Sequence, residues 1–506
     1  LAAASGALVY CCGPEPLMAA VLAAAPPPPP HRKGPNMTPV SKWCVVTNAS
    51  LPDLGHLATQ TADLGDLKVH YRGPEGVRLP ENPPFTVDVA TLAPPSPDGA
   101  ASTLRIEPDG VTARVSALNE NPVYYAVNRS RGLFAYFTDL LLAPLVLPAL
   151  GLAVRFQGGA PAHESGTLVA DVSRLRHATV RRTRRTGGRW LTEAGDEHDV
   201  LGDFRTPHRD DALAAGEAQL EALASEIARV DAAAPEGTGY ATLLSGGIDS
   251  GTVTYLAARA GLPVTPYSVA SPWGDELDDA AELCAELGIG LEPVHLTEDQ
   301  IIASIPETVR WLGLADAEVV EVALTATTVQ RLGAVPADEV LLTGYGSDLV
   351  NAGLYRPFDH RDDLIEQVLS AVDRTRRSNE LSNRMPLAYG TTTHHPFWSW
   401  PVMRVALETT PECKVREGRE KYHLRTAMGR RVSEPIAWRK KIAVHHGGGL
   451  QDGVARRLEK ETGVQDRQAV YLACFAGLLD RAARGELDPA DPWELLEHAL
   501  RGVRSR

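Results

Sequence analysis

A run of small and acidic residues at 244–250, Leu-Ser-Gly-Gly-Ile-Asp-Ser, has the side chains and the backbone freedom that polyphosphate binding requires. Adjacent glycines (Gly246 and Gly247) let the backbone approach an anion closely, and a helix beginning after them would point free N–H groups at it. Ser245 and Ser250 can add hydroxyl donors, and Asp249 can hold Mg²⁺ beside phosphates. The alternative interpretation is a plain Gly-Gly turn before a capped helix. No lysine follows the glycines, so the run is not a GxxxxGK[ST] nucleotide loop.

A second loop with a carboxylate is predicted at 342–348, where the sequence reads Leu-Thr-Gly-Tyr-Gly-Ser-Asp. The apolar residues predict the end of a strand, and the glycines predict a loop. Asp348 could be a second Mg²⁺ ligand opposite Asp249, because two carboxylates and phosphate oxygens suit this octahedral ion. The alternative is a Gly-Tyr-Gly turn with a capping aspartate.

The segments that must position these loops alternate between helix and strand patterns. Residues 209–232 carry apolar residues at helical spacing and are rich in Ala and Glu. Strands are predicted at 239–247, 262–270 and 339–346, and helices at 249–261 and 275–288. This alternation predicts an α/β domain with a parallel sheet, whose ligands bind outside the carboxyl ends of the strands. We place the domain boundary at about 205–210, with the second domain at 206–506.

The half of the chain before this boundary is predicted to be rich in strands. Residues 38–205 contain short alternating runs broken by Pro, Gly and Asn. Five of these runs are predicted strands: 44–50, 85–92, 102–108, 111–118 and 151–157. One helix is predicted near 137–150. The arginine-rich stretch at 181–189 predicts a solvated hairpin rather than a nucleic-acid patch.

Composition limits the classes of protein to which the chain can belong. Its 506 residues are 44% hydrophobic and 23% charged, which is typical of a globular protein of two or three domains. The net charge of −14 argues against nucleic-acid partners. Six cysteines without a CxxC pair predict neither a disulfide scaffold nor a zinc cluster, and they favour the cytoplasm. The apolar runs are too short to predict a membrane span.

Residues 1–36 are excluded from the fold prediction. Five prolines at 26–30 predict a stiff linker, and no basic segment precedes the apolar stretch as it would in a signal peptide. Met37 could be the true start. We therefore interpret 1–36 as an appendage or a misplaced start.

The Ser-Gly-Gly-x-Asp-Ser motif resembles the pyrophosphate loop of N-type ATP pyrophosphatases, which form an acyl-adenylate and release pyrophosphate. Residues 209–450 resemble the synthetase domain of class B asparagine synthetases, and within that family they are most similar to the β-lactam and carbapenam synthetase branch. The resemblance implies a C-terminal adenine-nucleotide α-hydrolase-like (PP-loop) domain with a parallel sheet. It also implies an N-terminal Ntn-hydrolase-like α/β sandwich at 37–205.

The resemblance also implies three catalytic residues. Tyr345 stands where asparagine synthetases have Glu, and this is typical of the β-lactam-forming branch. Glu380 would pair with Tyr345 as a dyad that removes a proton from the attacking amine, which is mostly protonated at pH 7. Lys441, in a Trp-Arg-Lys-Lys segment, would stabilise the oxyanion and the leaving pyrophosphate. Lys440 is the competing lysine, and surface positions are the alternative for Glu380 and for the lysine pair.

On the nucleotide side, the resemblance assigns ATP and pyrophosphate contacts. Lys421 is expected on a helix and in contact with phosphate, and backbone atoms near Val269 are expected to read the adenine. The full expected set for ATP is Leu244, Ser245, Gly246, Gly247, Asp249, Ser250, Val269, Gly344, Lys421 and Lys441, and the Mg²⁺ ligands are Asp249 and Asp348.

The N-terminal half departs from the glutamine-using members of the family. They carry Cys directly after the start Met, whereas here Met37 is followed by Thr38 and Cys44 lies deeper in the chain. The resemblance therefore implies that the glutaminase fold is kept and its chemistry is lost.

Three functions remain open at this point. The first is an ATP- and Mg²⁺-dependent enzyme that closes a β-lactam ring in a small amino-acid substrate during antibiotic biosynthesis. The second is an intermolecular amide synthetase, a lasso-peptide-type cyclase or an amidotransferase that uses free ammonia. The third is a non-catalytic nucleotide-binding scaffold. Val322 stands where clavam-forming enzymes have an aromatic residue, which leaves the substrate open. A homo-oligomer is compatible with the sequence, and no membrane partner is expected.

Overall fold

In a computed structural model, the structure describes residues 39–74, 76–89, 102–118, 121–159, 165–196, 199–440, 449–463, 465–488 and 491–504. The chain divides into two units, Leu1–Pro35 and Asn36–Arg506, and every described residue belongs to the second. The prediction for residues 1–36 lies outside the described residues.

The N-terminal half consists mainly of short strands. Its elements are β1 (Trp43–Thr47), α1 (Pro52–Gly55), β2 (Gln60–Asp63), β3 (Lys68–Arg72), β4 (Phe85–Asp88), β5 (Thr103–Glu107), β6 (Gly110–Val115), β7 (Tyr124–Asn128), β8 (Leu133–Phe137), α2 (Ala143–Leu150), β9 (Ser173–Arg174), β10 (Thr179–Thr186) and β11 (Arg189–Asp196). Short 3₁₀ helices lie at Leu140–Leu142 and Val200–Arg205.

These strands form two antiparallel sheets that share one apolar core. The first sheet has the order β2-β3-β1-β8-β7-β9 and the second the order β11-β10-β6-β5-β4. Side chains from both sheets, such as Val46 and Leu104, are fully buried in the same cluster. Alternate side chains of β1 and β8, such as Trp43 and Phe137, point to the opposite face of the first sheet. There they pack in a second apolar cluster that includes residues of the C-terminal helices. The first sheet is therefore covered on both faces.

Most of the predictions for this half are confirmed. Strands overlap four of the five predicted runs. The arginine-rich stretch is a hairpin whose turn glycines, Gly187 and Gly188, have positive φ angles of 58° and 78°. The predicted strand at 151–157 is wrong, because Gly151 ends α2 in the left-handed conformation and the following residues form only an isolated bridge at Phe156. The predicted helix begins at Ala143, since Phe137 still belongs to β8.

The C-terminal half alternates helices and strands. Its elements are α3 (Ala212–Ala233), β12 (Gly239–Leu243), α4 (Ile248–Arg259), β13 (Val264–Ser271), β14 (Gly274–Asp275), α5 (Leu277–Leu287), β15 (Glu292–His295), α6 (Glu298–Ile302), α7 (Ile305–Leu312), α8 (Ala317–Arg331), β16 (Glu339–Thr343), α9 (Ser347–Val350), α10 (Arg361–Thr375), α11 (Arg384–Ala388), β17 (Thr392–His394), α12 (Trp400–Glu408), α13 (Pro411–Lys414), α14 (Tyr422–Met428), α15 (Glu434–Ala437), α16 (Leu450–Thr462), α17 (Arg467–Ala482) and α18 (Pro492–Arg504).

The predicted parallel sheet is confirmed. Its order is β14-β13-β12-β16-β17, with β15 paired to β13, and only β14 runs antiparallel to its neighbour. The chain moves from β12 to β13 on one side and later returns to β16 on the other side of β12. Such a switch point opens a crevice at the carboxyl ends of the two central strands. Both acidic loops of the sequence analysis begin there.

A partly buried ionic network joins the two halves. Arg376, which directly follows α10, donates to the Ala117 carbonyl at 3.0 Å and pairs with Asp199 at 3.0 Å and Asp373 at 2.7 Å. His177 lies 3.2 Å from Asp199, and burial lowers the pKa of its imidazole to about 4. His177, Asp199 and Asp373 are close enough to hold a metal ion, but two guanidinium groups already pair with the carboxylates: Arg376 contacts both, and Arg377 contacts Asp373. We interpret this network as a structural clamp.

Among the described residues, no helix combines the length and the apolar character needed to cross a membrane.

Candidate active site at the switch point

The loop after β12 is held in shape by its own serines. The Ser245 N–H donates to Ser250 Oγ at 3.0 Å, the two hydroxyls lie 3.0 Å apart, and the Gly247 N–H donates to Ser245 Oγ at 3.3 Å. Helix α4 begins at Ile248 and is 12 residues long, so its first N–H groups and its dipole face the crevice. Both serines therefore shape the loop, in addition to any donation to phosphate.

Two carboxylates from different loops converge on one ammonium group. Lys421 Nζ lies 2.5 Å from Asp249 Oδ2 and 2.5 Å from Asp348 Oδ1. The lysine is fully buried, and the side chains of Asp249 and Asp348 are 7% and 26% exposed. The structure brings the two aspartates together, because both point at the same cation, and their role as Mg²⁺ ligands stays a prediction. Lys421 was expected on a helix, but it precedes α14 as its N-cap with a left-handed φ of 57°.

Close packing of the loop after β12 against the loop after β16 explains why residue 344 is a glycine. A Cβ on Gly344 would lie 2.5 Å from the Ser250 nitrogen and 2.8 Å from the Asp249 carbonyl carbon. The loop after β16 therefore lies directly against the first turn of α4, and no larger residue fits there. This contact sets the separation of Asp249 and Asp348.

A hydrogen-bonded chain behind Asp249 was missed by the sequence analysis. Ser347 donates to Asp249 Oδ1 at 2.6 Å and accepts from Asn351 at 3.0 Å. Asn351 contacts Gln219 of α3 at 3.0 Å and His423 at 3.2 Å, and both polar partners are buried. Burial lowers the pKa of His423 to about 3, so its imidazole is neutral. The sequence could not show that α3 and α14 pack together. The one available signal was Gln219, a polar amide on the apolar face of an amphipathic helix, because a buried amide needs hydrogen-bond partners.

The Trp-Arg-Lys-Lys segment meets the loop after β12. Arg439 donates to the Gly246 carbonyl at 3.2 Å and to the Asp279 carbonyl at 3.0 Å, and it also pairs with Glu282. Arg425 in turn donates to the Arg439 carbonyl at 2.8 Å. Arg439 was not predicted as a site residue, although it lies in the segment that was singled out. Lys441 itself lies outside the described residues, because residues 441–448 of this segment are not described.

Glu380 and Tyr345 lie in different surroundings. Burial raises the pKa of Glu380, and the hydroxyls of Thr375 and Ser378 oppose this rise by hydrogen bonding to the carboxylate. Glu318 lies close enough to raise its pKa further. Tyr345 contacts His395 edge-on at 6.0 Å between ring centroids, and His395 hydrogen-bonds to Thr343 at 2.6 Å. The dyad of Tyr345 and Glu380 therefore stays a prediction.

The remaining predicted nucleotide contacts lie along the same edge. The N–H of Leu244 donates to the Tyr267 carbonyl at 2.8 Å, which continues the pairing of β12 with β13. Val269 follows Tyr267 by two residues and pairs with Val294 of β15 on its other side. Its backbone therefore lies beyond the end of the β12–β13 ladder, which is where a base could contact it.

The segment around Val322 has a structural carboxylate. Glu321 is fully buried, accepts from the Tyr471 hydroxyl at 3.0 Å and pairs with Arg467 at 3.1 Å. Glu321 thus connects α8 to α17. The neighbouring Val322 still leaves the identity of the substrate undetermined.

The donor set fits a magnesium ion. Carboxylate oxygens are the ligands that Mg²⁺ prefers, and two of them already converge within 2.5 Å of a single cationic atom, Lys421 Nζ. Asp249 and Asp348 are the residues that would hold the ion.

Comparison with known proteins identifies the family. A model of the asparagine synthase family matches residues 229–381 and 365–501, which together span more than half of the 506 residues. The chain belongs to the asparagine synthase family.

A curated relative gives a more particular similarity. The chain is 28% identical over 226 residues to the carboxyethyl-arginine beta-lactam-synthase of Streptomyces clavuligerus. The match covers 44% of this chain and 44% of that protein, so the chain spans less than half the length of this relative. The resemblance to the β-lactam synthetase branch is confirmed by this similarity. A solved structure of NMN synthetase from Francisella tularensis is 15% identical with a TM-score of 0.27, over 58% of this chain and 95% of that one.

Proposed function

We propose that the protein is an ATP- and Mg²⁺-dependent synthetase that adenylates the carboxylate of a small amino acid and then closes an intramolecular amide, a β-lactam ring. The observation that carries the proposal is the convergence of Asp249 and Asp348 beside the N-terminus of α4. The similarity to a beta-lactam-synthase supports the ring-closing step.

In the first step, a carboxylate oxygen of the substrate attacks the α-phosphorus of ATP, and the bond to pyrophosphate breaks. The N–H groups at Gly247 and at the start of α4 would bind phosphate oxygens, and Arg439 holds the Gly246 carbonyl and so keeps this loop in place. Mg²⁺ held by Asp249 and Asp348 would neutralise phosphate charge. Lys421 is positioned between the same carboxylates and would then contact phosphate.

In the second step, the substrate's own amine attacks the acyl carbon, and the bond to AMP breaks. The amine proton must pass to a base, for which we propose Tyr345 supported by Glu380. Glu380 is half-buried, and its raised pKa makes it a stronger base than a solvated carboxylate. Lys441 would stabilise the oxyanion of the tetrahedral intermediate.

We further propose that residues 37–205 are a vestigial glutaminase domain with an Ntn-hydrolase-like fold, and that 206–506 is the synthetase domain. Two antiparallel sheets packed on a common core are compatible with this. Cys44 is fully buried, and burial raises the pKa of its thiol to about 12. Such a thiol is a poor nucleophile, which supports a substrate amine in place of ammonia from glutamine.

The test is pyrophosphate release from ATP and Mg²⁺ with a panel of β-amino acids that includes carboxyethylarginine and carboxymethylproline, with products identified by mass. We expect release together with a product at the substrate mass minus water, insensitive to glutamine and ammonia. Release only when a separate amine or peptide is supplied would instead identify an intermolecular synthetase. Release that requires ammonia would identify an amidotransferase, and no release with any substrate would leave a nucleotide-binding scaffold.

A further inference from the structure

The segment that carries Glu380 is held by side chains of the N-terminal half. Residues 376–383 form turns between α10 and α11, so the hydrogen bonds of a helix or a sheet do not fix their geometry. Contacts from residues before the domain boundary reach this segment and the end of α11. They come from Val40, Ala117, Asn121, Tyr124, Asp139, Arg174 and Asp199. Glu380 therefore lies at an interface between the two halves.

The first contacts hold the chain where it leaves α10. Arg174 of β9 is buried and donates to the carbonyls of two successive residues, Arg377 and Arg376, the latter at 3.1 Å. Arg376 in turn donates to the Ala117 carbonyl at 3.0 Å. A guanidinium group has its donors in a planar fork of fixed geometry. Two bonds from one fork therefore fix the direction in which the chain runs toward Glu380.

The next contact holds Asn379, the residue directly before the base. Its backbone has a left-handed φ of 59°, which residues other than glycine seldom adopt. The Asn379 amide donates to the Leu312 carbonyl at 2.6 Å, and the Asn379 side chain also hydrogen-bonds to the Tyr124 hydroxyl of β7. A strained backbone persists only where surrounding contacts enforce it. Tyr124, which is buried, supplies one of these contacts from the N-terminal half.

Further contacts follow on the other side of the base. Ser382 donates to the Asn121 side chain at 2.8 Å. Arg384 pairs with Asp139 at 2.8 Å, and both of these side chains are buried. The N-terminal half thus holds the segment both before and after Glu380, so a change in these contacts would move the carboxylate.

We propose that the N-terminal half positions Glu380 for ring closure, with Tyr124 and Arg174 as positioning residues. This inference rests on the proposed function, in which Glu380 supports the base of the second step. A base must lie within hydrogen-bond reach of the proton that it removes, and a displacement of about 1 Å can cost roughly 10²-fold in rate. The N-terminal half would then contribute to the synthetase reaction without any glutaminase chemistry of its own.

The first test compares two tyrosines of the N-terminal half that each lose one buried hydroxyl. Tyr124→Phe removes the contact to Asn379, whereas Tyr136→Phe removes a hydrogen bond to Thr183 at 2.7 Å within the N-terminal half. We expect Tyr124→Phe to slow ring closure about tenfold and to leave ATP–pyrophosphate exchange within about twofold of wild type. Tyr136→Phe should leave both within about twofold. Closure that falls equally in the two variants, or in neither, overturns the inference.

A double-mutant cycle separates positioning from a general loss of structure. Arg174→Lys keeps the charge but loses the fork, and we expect it to slow closure about tenfold. In the Glu380→Gln background, the same substitution should change the residual closure by less than about twofold, because the carboxylate that it positions is absent. Arg155→Lys is the control, since Arg155 pairs with Asp171 at the surface of the same half. Equal losses in both backgrounds would show a purely structural role and overturn the inference.

Hydrogen exchange of the full-length chain, followed by mass spectrometry, tests the contacts without any activity. Tyr124→Phe should speed exchange in peptides that cover residues 376–388, and Tyr136→Phe should not. Unchanged exchange of this segment in Tyr124→Phe overturns the inference whatever the activity. A wild-type chain that closes no ring would refute the proposed function alone, and the exchange result would then decide by itself whether the N-terminal half holds the segment.

Discussion

The two-sheet sandwich and the parallel-sheet half both bury ionisable side chains, but they hold them in opposite ways. In the sandwich, Cys44 and Tyr71 are buried among apolar neighbours, and desolvation keeps both groups uncharged by raising their pKa values. At the switch point of the parallel sheet, Asp249, Asp348 and Lys421 are held together as charges. Buried charges that converge are costly, and at this crevice we propose that they bind the phosphates of ATP, whereas the Arg376 network holds the two halves together.

The largest expected effect comes from removing one of the converging charges. Asp249→Asn keeps the oxygen that accepts from Ser347 but removes the charge that faces Lys421. We expect ATP-dependent pyrophosphate release to fall roughly 10²–10³-fold, as for other preorganised electrostatic groups. The matched control is Asp278→Asn, an exposed aspartate in the first turn of α5, which should stay within about twofold of wild type. Equal activity of both variants would contradict a special role for the switch point.

The next effect separates the two proposed steps. Glu380→Gln should reduce ring closure about 10²-fold while ATP–pyrophosphate exchange continues, because the base is needed only after adenylation. If exchange is lost in parallel with closure, Glu380 acts before the second step.

The raised pKa of Glu380 also predicts a pH dependence. Closure that needs the ionised carboxylate should be lost as pH falls through a value above the usual range for glutamate. Folding stability has the opposite sign, because a raised folded pKa means that ionisation at neutral pH destabilises the folded chain. Glu380→Gln should therefore raise the midpoint of thermal unfolding at pH 7, and this gain should shrink at pH 4. A loss of stability at pH 7 would show that its hydrogen bonds to Thr375 and Ser378 matter more than its burial.

A smaller effect tests whether the loops at the switch point are as closely packed as the charges require. Gly344→Ala places a methyl group 2.5 Å from the Ser250 nitrogen and should cost about 1–3 kcal/mol in the free energy of unfolding. Gly290→Ala is the control, since nothing lies within 4 Å of its Cβ position. Urea denaturation measures both. Similar values for the two variants would mean that the loop relaxes without cost.

The smallest effect is expected in the sandwich. Cys44→Ala should leave pyrophosphate release within about twofold of wild type, with or without glutamine, because the thiol is buried and protonated. In the native chain, Cys44 should resist alkylation by iodoacetamide until urea unfolds the protein, as peptide mass mapping would show. Rapid alkylation of Cys44 in the native chain would contradict this inference, because it would show a reactive thiol in the N-terminal half. Glutamine hydrolysis that is lost in Cys44→Ala would contradict it for the same reason.

The sequence by itself was enough to predict the elements and the motifs that carry the site. Apolar periodicity predicted β12, α4, β13, α5 and β16 together with the parallel sheet, because each pattern is local and long enough to be read. The glycine and aspartate loops were found because strand ends followed by Gly are distinctive. The predicted strand at 151–157 was wrong, because Gly151 adopts the left-handed conformation that ends the preceding helix, and the sequence does not show which conformation a glycine takes.

Only the tertiary structure decided which side chains meet. Lys421 lies far along the chain from Asp249, and its position between two aspartates depends on how α14 packs beside the sheet. The same holds for Gln219 and His423 behind Asp249, and for Arg439 on the Gly246 carbonyl. Residue type and spacing describe one element at a time, whereas these contacts join elements that are distant in sequence. Their geometry follows from burial and packing of the whole fold, which no local pattern records.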